Sequence, residues 1–188
     1  PPNKEKIGWC VDDLLVNAEN SGAKIVYNTV ATKEMLDDMN PAYVICATGA
    51  DAVYPKAFQR ENVSTVTDVL NGNVKLYYKN VVVIGSGMTG LETSELLCKQ
   101  FNKVTIVEMA DQIAPGAWFQ QVDDAMPHLE KAGTVFMPSY KLVEIKDDSV
   151  VLESTKTGEL TEVEADHVVL SMGCRPNNNL FTELEKDK

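Results

Sequence analysis

Apolar and polar positions change period several times along the chain, and each change marks a predicted element. Trp9, Val11, Leu14, Leu15 and Ala18 recur at helical spacing and Ser21-Gly22 supplies a stop, so the chain is predicted to open with a helix. Ala23–Tyr27 reads as a short apolar strand, and Thr32–Met39 as a short acidic helix ended by Asn40-Pro41. The run from Ala42 to Thr48 is apolar almost throughout and stops at Gly49, the pattern of a strand buried on both faces of a parallel sheet. Residues 51–79 hold Pro55, little periodicity before Thr67–Leu70 and an Asn71-Gly72 turn signal, and read as a connecting segment.

A second unit opens at Lys79-Asn80. Strand Val81–Ile84, helix Met88–Phe101 and strand Val104–Glu108 form a predicted β-α-β unit. Asp111–Gln121 reads as a loop around Pro115-Gly116, and Val122–Ala132 as a helix closed by Gly133. Thr134–Met137, Lys141–Ile145, Ser149–Ser154 and Thr161–Ala165 then alternate apolar with polar, separated by Asp147-Asp148 and Thr157-Gly158, which predicts an antiparallel meander. A last apolar strand, Val168–Leu170, ends in Ser171-Met172-Gly173, and the tail from Leu180 turns charged. Two buried-type strands ending in glycine, Ile45–Gly49 and Leu170–Gly173, thus bracket the β-α-β unit like crossing points into and out of an inserted domain.

Composition narrows the chemistry. Seventeen basic residues against 28 acidic ones give a net charge of −11, and the arginines are Arg60 and Arg175 alone. Such a surface repels phosphate backbones and anionic lipid, so neither nucleic acid nor a membrane is an expected partner. The longest apolar runs fall far short of the ~20 residues that span a bilayer, and the polar opening Pro1–Lys6 does not read as a secretion signal. Cys10, Cys46, Cys98 and Cys174 are spread singly, which argues against a disulfide scaffold, a zinc site or a dithiol centre and for a reduced, cytoplasmic protein with buried thiols. His128 and His167 have no metal-ligand spacing, no metal site is expected, and no nucleophile–base constellation that would mark catalytic side chains is present. Met88, Met172 and Trp118 read as packing residues.

One motif carries chemistry. Val81-Val82-Val83-Ile84 runs straight into Gly85-Ser86-Gly87-Met88-Thr89-Gly90 and then a helix, which is GxGxxG in its full strand–turn–helix context. Gly85 permits the tight turn, Gly87 leaves room for a pyrophosphate, and Gly90 lets the helix lie close on the strand. Amides around Gly87–Thr89 would then meet an anion at the positive end of a helix. Glu108 closes the next strand, near the expected acidic position about 20 residues on. Its carboxylate can accept both hydroxyls of an adenosine ribose and would repel a 2′-phosphate, with no arginine between Arg60 and Arg175 to offset it, so NAD(H) is the expected cofactor rather than NADP(H). Glu92 falls in the first turns of the helix, where the dipole alone favours an acid.

These residues carry a resemblance. VVVIGSGMTGLETSELL, then VTIVEMADQIAPG, then VVLSMGCRPN resemble the nucleotide-binding region of two-dinucleotide-domain flavoproteins, and within them old yellow enzyme-type NADH:flavin oxidoreductases such as 2-enoate reductase, 2,4-dienoyl-CoA reductase and trimethylamine dehydrogenase. PPNKEKIGWCVDDLL is similar to the segment after their first flavin-binding βαβ unit, and VICATGA to their Ala-Thr-Gly strand. The resemblance implies a three-layer Rossmann-like FAD/NAD-binding α/β fold, with a parallel sheet plus an antiparallel β-meander. It implies a partial FAD-binding segment and linker over 1–79, an NAD-binding domain over 80–166, and a return strand and tail toward the FAD domain over 167–188.

By the same resemblance Gly85, Ser86, Gly87, Met88, Thr89, Gly90, Glu108 and Met109 would hold NADH, Gly173 would line its other side, and Glu92 would lie near the nicotinamide. Ala47, Thr48 and Gly49 would lie against FAD, at a site completed by motifs before Pro1 and beyond Lys188. The implied parent is an NADH-dependent flavin oxidoreductase that passes hydride from NADH to FAD and onward to a barrel domain, carrying FMN and an iron–sulfur cluster, that reduces activated carbon–carbon double bonds. The remaining FAD domain and that barrel are the implied partners, and this segment alone is expected to give no turnover. A structural ADP site without hydride transfer, as in trimethylamine dehydrogenase-like relatives, is the main rival. A methyltransferase loop for S-adenosylmethionine is a weaker one, because the meander and the Ala-Thr-Gly strand have no place in it.

Overall fold

A computed structural model describes Lys4 and residues 6–186. Pro1–Asn3, Glu5, Asp187 and Lys188 lie outside the described residues, and with them parts of the opening and closing segments read above. In chain order the first elements are α1 (Lys6–Asn20), α2 (Lys33–Met39), β1 (Ala50–Ala52), β2 (Val63–Thr65), α3 (Val66–Leu70), β3 (Asn80–Ile84), α4 (Met88–Lys99) and β4 (Lys103–Glu108). There follow α5 (Phe119–Lys131), β5 (Val135–Pro138), β6 (Tyr140–Ile145), β7 (Ser149–Ser154), β8 (Leu160–Glu164), β9 (His167–Leu170), β10 (Cys174–Pro176) and α6 (Asn179–Glu185).

The chain divides into two compact units, one running from Ala52 to Gly173 and the other made of the segments before and after it. In the first, five parallel strands lie in the order β2-β9-β3-β4-β5. Strict alternation divides the Val81–Ile84 run between two layers. Val81 and Val83 pack with Leu91 and Leu97 of α4, Val66 and Val69 of α3 and Ala125 and Leu129 of α5. Val82 and Ile84 pack with Ile145, Val150 and Leu152 of the β6-β7-β8 meander. Helices, parallel sheet and meander are the three layers of the Rossmann-like fold. A side chain as fully buried as Val83, Leu91, Ile106 or Leu129 (each 0% exposed) contributes roughly 1.5–3 kcal/mol as an upper figure.

Several expectations need correction. Residues 51–79 are more than a connector: β2 is buried and pairs in register with β9, and Thr65 caps α3 through a reciprocal bond pair with Asp68. The strand expected at Thr134–Met137 does not join the meander, because β5 adds in parallel to β4, with Thr105 opposite Val135. A four-residue apolar stretch carries no information about its partner's direction. The compact unit is also wider than the span 80–166, since β2 and β9 are strands of its sheet. α5 begins at Phe119, inside the expected loop, and Trp118 before it is 74% exposed rather than packed.

The second unit keeps the two predicted helices, α2 with Thr32 as its cap and Asn40 in the left-handed conformation at its end. Neither Ala23–Tyr27 nor Ala42–Gly49 is a strand. A strand buried on both faces needs neighbouring ladders, and among the described residues this run pairs with none; Tyr43 and Ile45 are each 91% exposed. The charged tail forms helix α6, and β1 pairs with β10. The four cysteines are unpaired and not buried as expected: Cys10 and Cys174 are exposed, Cys46 and Cys98 partly so.

His167 is buried on β9, with Nε2 3.0 Å from Ser64 Oγ. Burial first, and the charge of Lys79 second, hold its imidazole below the ordinary value. The unfolded chain therefore binds a proton more readily, and the stability that the neutral ring confers is present above ~6.5 and lost as pH falls from there toward the lower folded value. Denaturant unfolding between pH 7.5 and 5.5 is expected to show declining stability, with a flatter dependence in His167→Asn.

Candidate nucleotide-binding site

The turn between β3 and α4 is shaped by what its glycines exclude. Gly85 has φ +103°, and a Cβ there would lie 2.2 Å from the backbone oxygen of Ser171. A Cβ on Gly90 would meet Gly85 O at 2.3 Å and Ser171 Oγ at 2.9 Å. Both glycines let β3, α4 and the end of β9 touch through backbone, and Ser171 N donates to Ile84 O at 2.8 Å. Gly87 differs: a Cβ there would meet nothing within 4 Å. It is the N-cap of α4 and supplies no side-chain cap, while its carbonyl accepts from Leu91 N at 3.0 Å. The first amides of α4 have no acceptor within the helix, so they form a positive, uncapped end.

Beside this turn lies a cleft of about 400 Å³, lined by Ile84, Gly85, Gly87, Val107, Glu108, Met109, Tyr140, Lys141, Leu142, Ser171 and Met172. It stands at the carboxyl ends of β3 and β4. The chain leaves β3 toward β4 on one side, whereas β9 flanks the other, which is the switch point where open α/β sheets bind ligands.

Glu108 is 8% exposed and engaged by its own surroundings. Oε2 accepts from Ser86 N (3.0 Å) and from Ser86 Oγ (2.8 Å), and Oε1 accepts from Ala110 N (2.9 Å). Ser86 Oγ also accepts from Ala114 N (2.8 Å), tying the glycine turn to the loop after β4. Burial pushes the Glu108 carboxyl up, but the amides of Ala110, Ser86 and Met109 and the Ser86 hydroxyl together bring it below the usual carboxylate range. Glu108 is therefore ionised at neutral pH while anchored to the turn.

Of the residues singled out from sequence, Gly85, Gly87, Glu108 and Met109 line this cleft, and Ser86 is buried. Met88 turns into the helix-side core. Thr89 is exposed on the first turn of α4, and Glu92 is half-buried one turn on. Gly173 is exposed after β9, with φ +82°. Ala47, Thr48 and Gly49 belong to the other unit, where Thr48 Oγ1 donates to Asn177 O and Gly49 has φ +75°.

The sequence reading missed the wall formed by Tyr140, Lys141 and Leu142, because it depends on β6 crossing the sheet far from the motif. Met172, expected from sequence to pack, instead sits, 41% exposed, at the cleft. On the same wall Lys141 Nζ pairs with Glu153 Oε1 at 2.9 Å. Among the described residues no cluster suited to a metal ion occurs, and no helix is long and apolar enough to cross a membrane.

Comparison with known proteins agrees with this architecture. An NADH oxidase of Thermoanaerobacter brockii is 34% identical over 192 residues, covering all of this chain and 29% of that protein. A cinnamate reductase of Clostridium sporogenes is 27% identical over 173 residues, 88% of this chain and 25% of that one. The structure of a 2-naphthoyl-CoA reductase complex superposes with a TM-score of 0.76 at 27% identity, over 89% of this chain and 25% of its own. The chain thus spans between a quarter and three tenths of the length of these relatives. Residues 7–188 match the family described as pyridine nucleotide-disulphide oxidoreductase. With that match over nearly its whole length, and with the strand–turn–helix and three-layer architecture that accompany it, the chain belongs to the pyridine nucleotide-disulphide oxidoreductase family.

Proposed function

We propose that the chain is the NAD(H)-binding module of a flavin-dependent oxidoreductase whose parent reduces activated carbon–carbon double bonds. One observation carries the reading: Gly87 opens onto empty space at the uncapped start of α4, beside a cleft whose rim holds an ionised carboxylate. A dinucleotide's pyrophosphate fits that cradle, since a side chain at Gly87 would fill it and the helix end favours anions. After its three internal bonds Glu108 keeps about one of its roughly four acceptor sites, on Oε1, for a ribose hydroxyl. The apolar walls Ile84, Val107, Tyr140 and Leu142 suit the flat face of a base and exclude water.

Bound there, NADH would supply a hydride for FAD, and the protein's share is to bind and orient. Ala47, Thr48, Gly49 and Gly173 are the proposed contacts on the flavin side and the far side of the nicotinamide, and FMN and an iron–sulfur cluster belong on this reading to the rest of the parent. The names of the similar NADH oxidase, cinnamate reductase and 2-naphthoyl-CoA reductase support a nicotinamide donor and an unsaturated acceptor.

Calorimetric titration of the wild type and of Glu108→Gln with NADH, NADPH and ADP tests this reading. NADH is expected to bind about tenfold more tightly than NADPH, from like-charge repulsion at Glu108, and more tightly than ADP, and Glu108→Gln is expected to lose the first preference. A wild type that prefers NADPH would overturn the cofactor assignment. Equal affinity for ADP and NADH would make the module a structural nucleotide site.

A further inference from the structure

The middle residue of the turn, Ser86, does something that GxGxxG leaves unspecified. It is 0% exposed, and it bonds through both backbone and side chain to one carboxylate oxygen: N and Oγ each reach Glu108 Oε2, at 3.0 and 2.8 Å. Because Oγ–H donates to that carboxylate, Oγ's lone pairs remain to accept Ala114 N at 2.8 Å. The second carboxylate oxygen is fixed by Ala110 N. Three parts of the site, the glycine turn, the end of β4 and the loop over 110–114, therefore share one buried hydroxyl. A buried network of this kind fixes geometry when every member is satisfied, as here.

We propose that Ser86 is a specificity-positioning residue, which orients the Glu108 carboxylate so that the site accepts a ribose diol and rejects a 2′-phosphate. This rests on the dinucleotide reading above and adds to it the residue that makes the acidic position selective. Without the hydroxyl, Glu108 Oε2 keeps only the Ser86 amide, Ala114 N loses its acceptor, and the carboxylate is held less tightly, by the Ser86 and Ala110 amides alone. The other ionisable side chains lining the same cleft are Tyr140 and Lys141 of β6, and Lys141 is paired with Glu153 of β7. Lys141 already has a carboxylate partner, which leaves the fixing of Glu108 to the Ser86 bonds and the neighbouring amides.

Two readouts on the full chain separate positioning from general support of the turn. The first is the carboxyl ¹³C shift of Glu108 against pH, in the wild type and in Ser86→Ala. The second is the ratio of NADH to NADPH affinity by calorimetry in the wild type, Ser86→Ala and Ser86→Thr. Glu108 is expected to titrate below the usual carboxylate range in the wild type and at higher pH in Ser86→Ala. The affinity ratio is expected to fall about tenfold in Ser86→Ala, the value of one charge-assisted hydrogen bond, and to recover in Ser86→Thr.

Equal losses for both nucleotides with an unchanged ratio would overturn the proposal, because Ser86 would then only shape the turn. So would a wild-type Glu108 that titrates in the ordinary range, a measurement that stands even if Ser86→Ala does not fold. If neither nucleotide binds the wild type, the dinucleotide site itself fails, and the carboxyl titration still decides whether Ser86 positions Glu108.

Discussion

Gly85→Ala is expected to destabilise the Ala52–Gly173 unit by about 3–5 kcal/mol, combining backbone strain with overpacking. Two independent costs add at this position. The residue sits at φ +103°, where an L side chain is strained, and the new methyl would lie 2.2 Å from Ser171 O, a backbone atom that cannot rotate away. Relief requires β9 to withdraw from β3, but their parallel register runs from Val81–His167 to Ile84–Leu170, and those residues fill both core layers. Urea unfolding should show the midpoint collapse. A loss under 1 kcal/mol would mean that the close approach of turn and strand is not a stability constraint.

Gly87→Val is expected to produce the opposite pattern: a stability loss of no more than about 1 kcal/mol, from a poorer helix N-cap, and dinucleotide affinity lower by about a hundredfold, or ~2.8 kcal/mol. Gly87 has φ −56° and ψ 168°, which any residue adopts, and empty space where a side chain would go. The substitution therefore meets no protein atom. It fills only the volume through which a pyrophosphate would reach the first amides of α4. Calorimetry with NADH, alongside urea unfolding of the same sample, separates the effects. Together the two glycines divide the motif into a part that the fold requires and a part that only a ligand requires.

How much of this could be read from the sequence follows from how local each feature is. The β3–turn–α4 motif was legible because strand, glycines and helix are contiguous, although the residue that Gly85 and Gly90 make room for, Ser171, lies far along the chain. The division of Val81–Ile84 between two layers was implicit in alternation. What stayed hidden depends on distant pairing. β2 is three residues long and is a strand only because β9 lies beside it. β5 reads like a meander strand until β4 is seen to accept it in parallel. The run 42–49 has the composition of a central strand but no ladder partners among the described residues, and composition alone does not make a strand.

The site shows the same limit. Glu108 was identified from its spacing, but its attachment to Ser86 and Ala110 was not, because a spacing rule is silent on what else the carboxylate touches. The sequence puts Lys141 and Leu142 in a strand and leaves Tyr140 outside it, and it places none of the three on the cleft wall, since β6 packs beside β4 only in three dimensions.

The central claim is that an anionic dinucleotide centre docks at the uncapped start of α4. Backbone amide resonances of the isotopically labelled chain, followed as NADH is added to saturation, test it most directly. The account expects Gly87, Met88 and Thr89 to shift most, with Glu108 and its neighbours following, while α5 and the meander strand β8 stay fixed. Saturating NADH that leaves those three amides unmoved would contradict it.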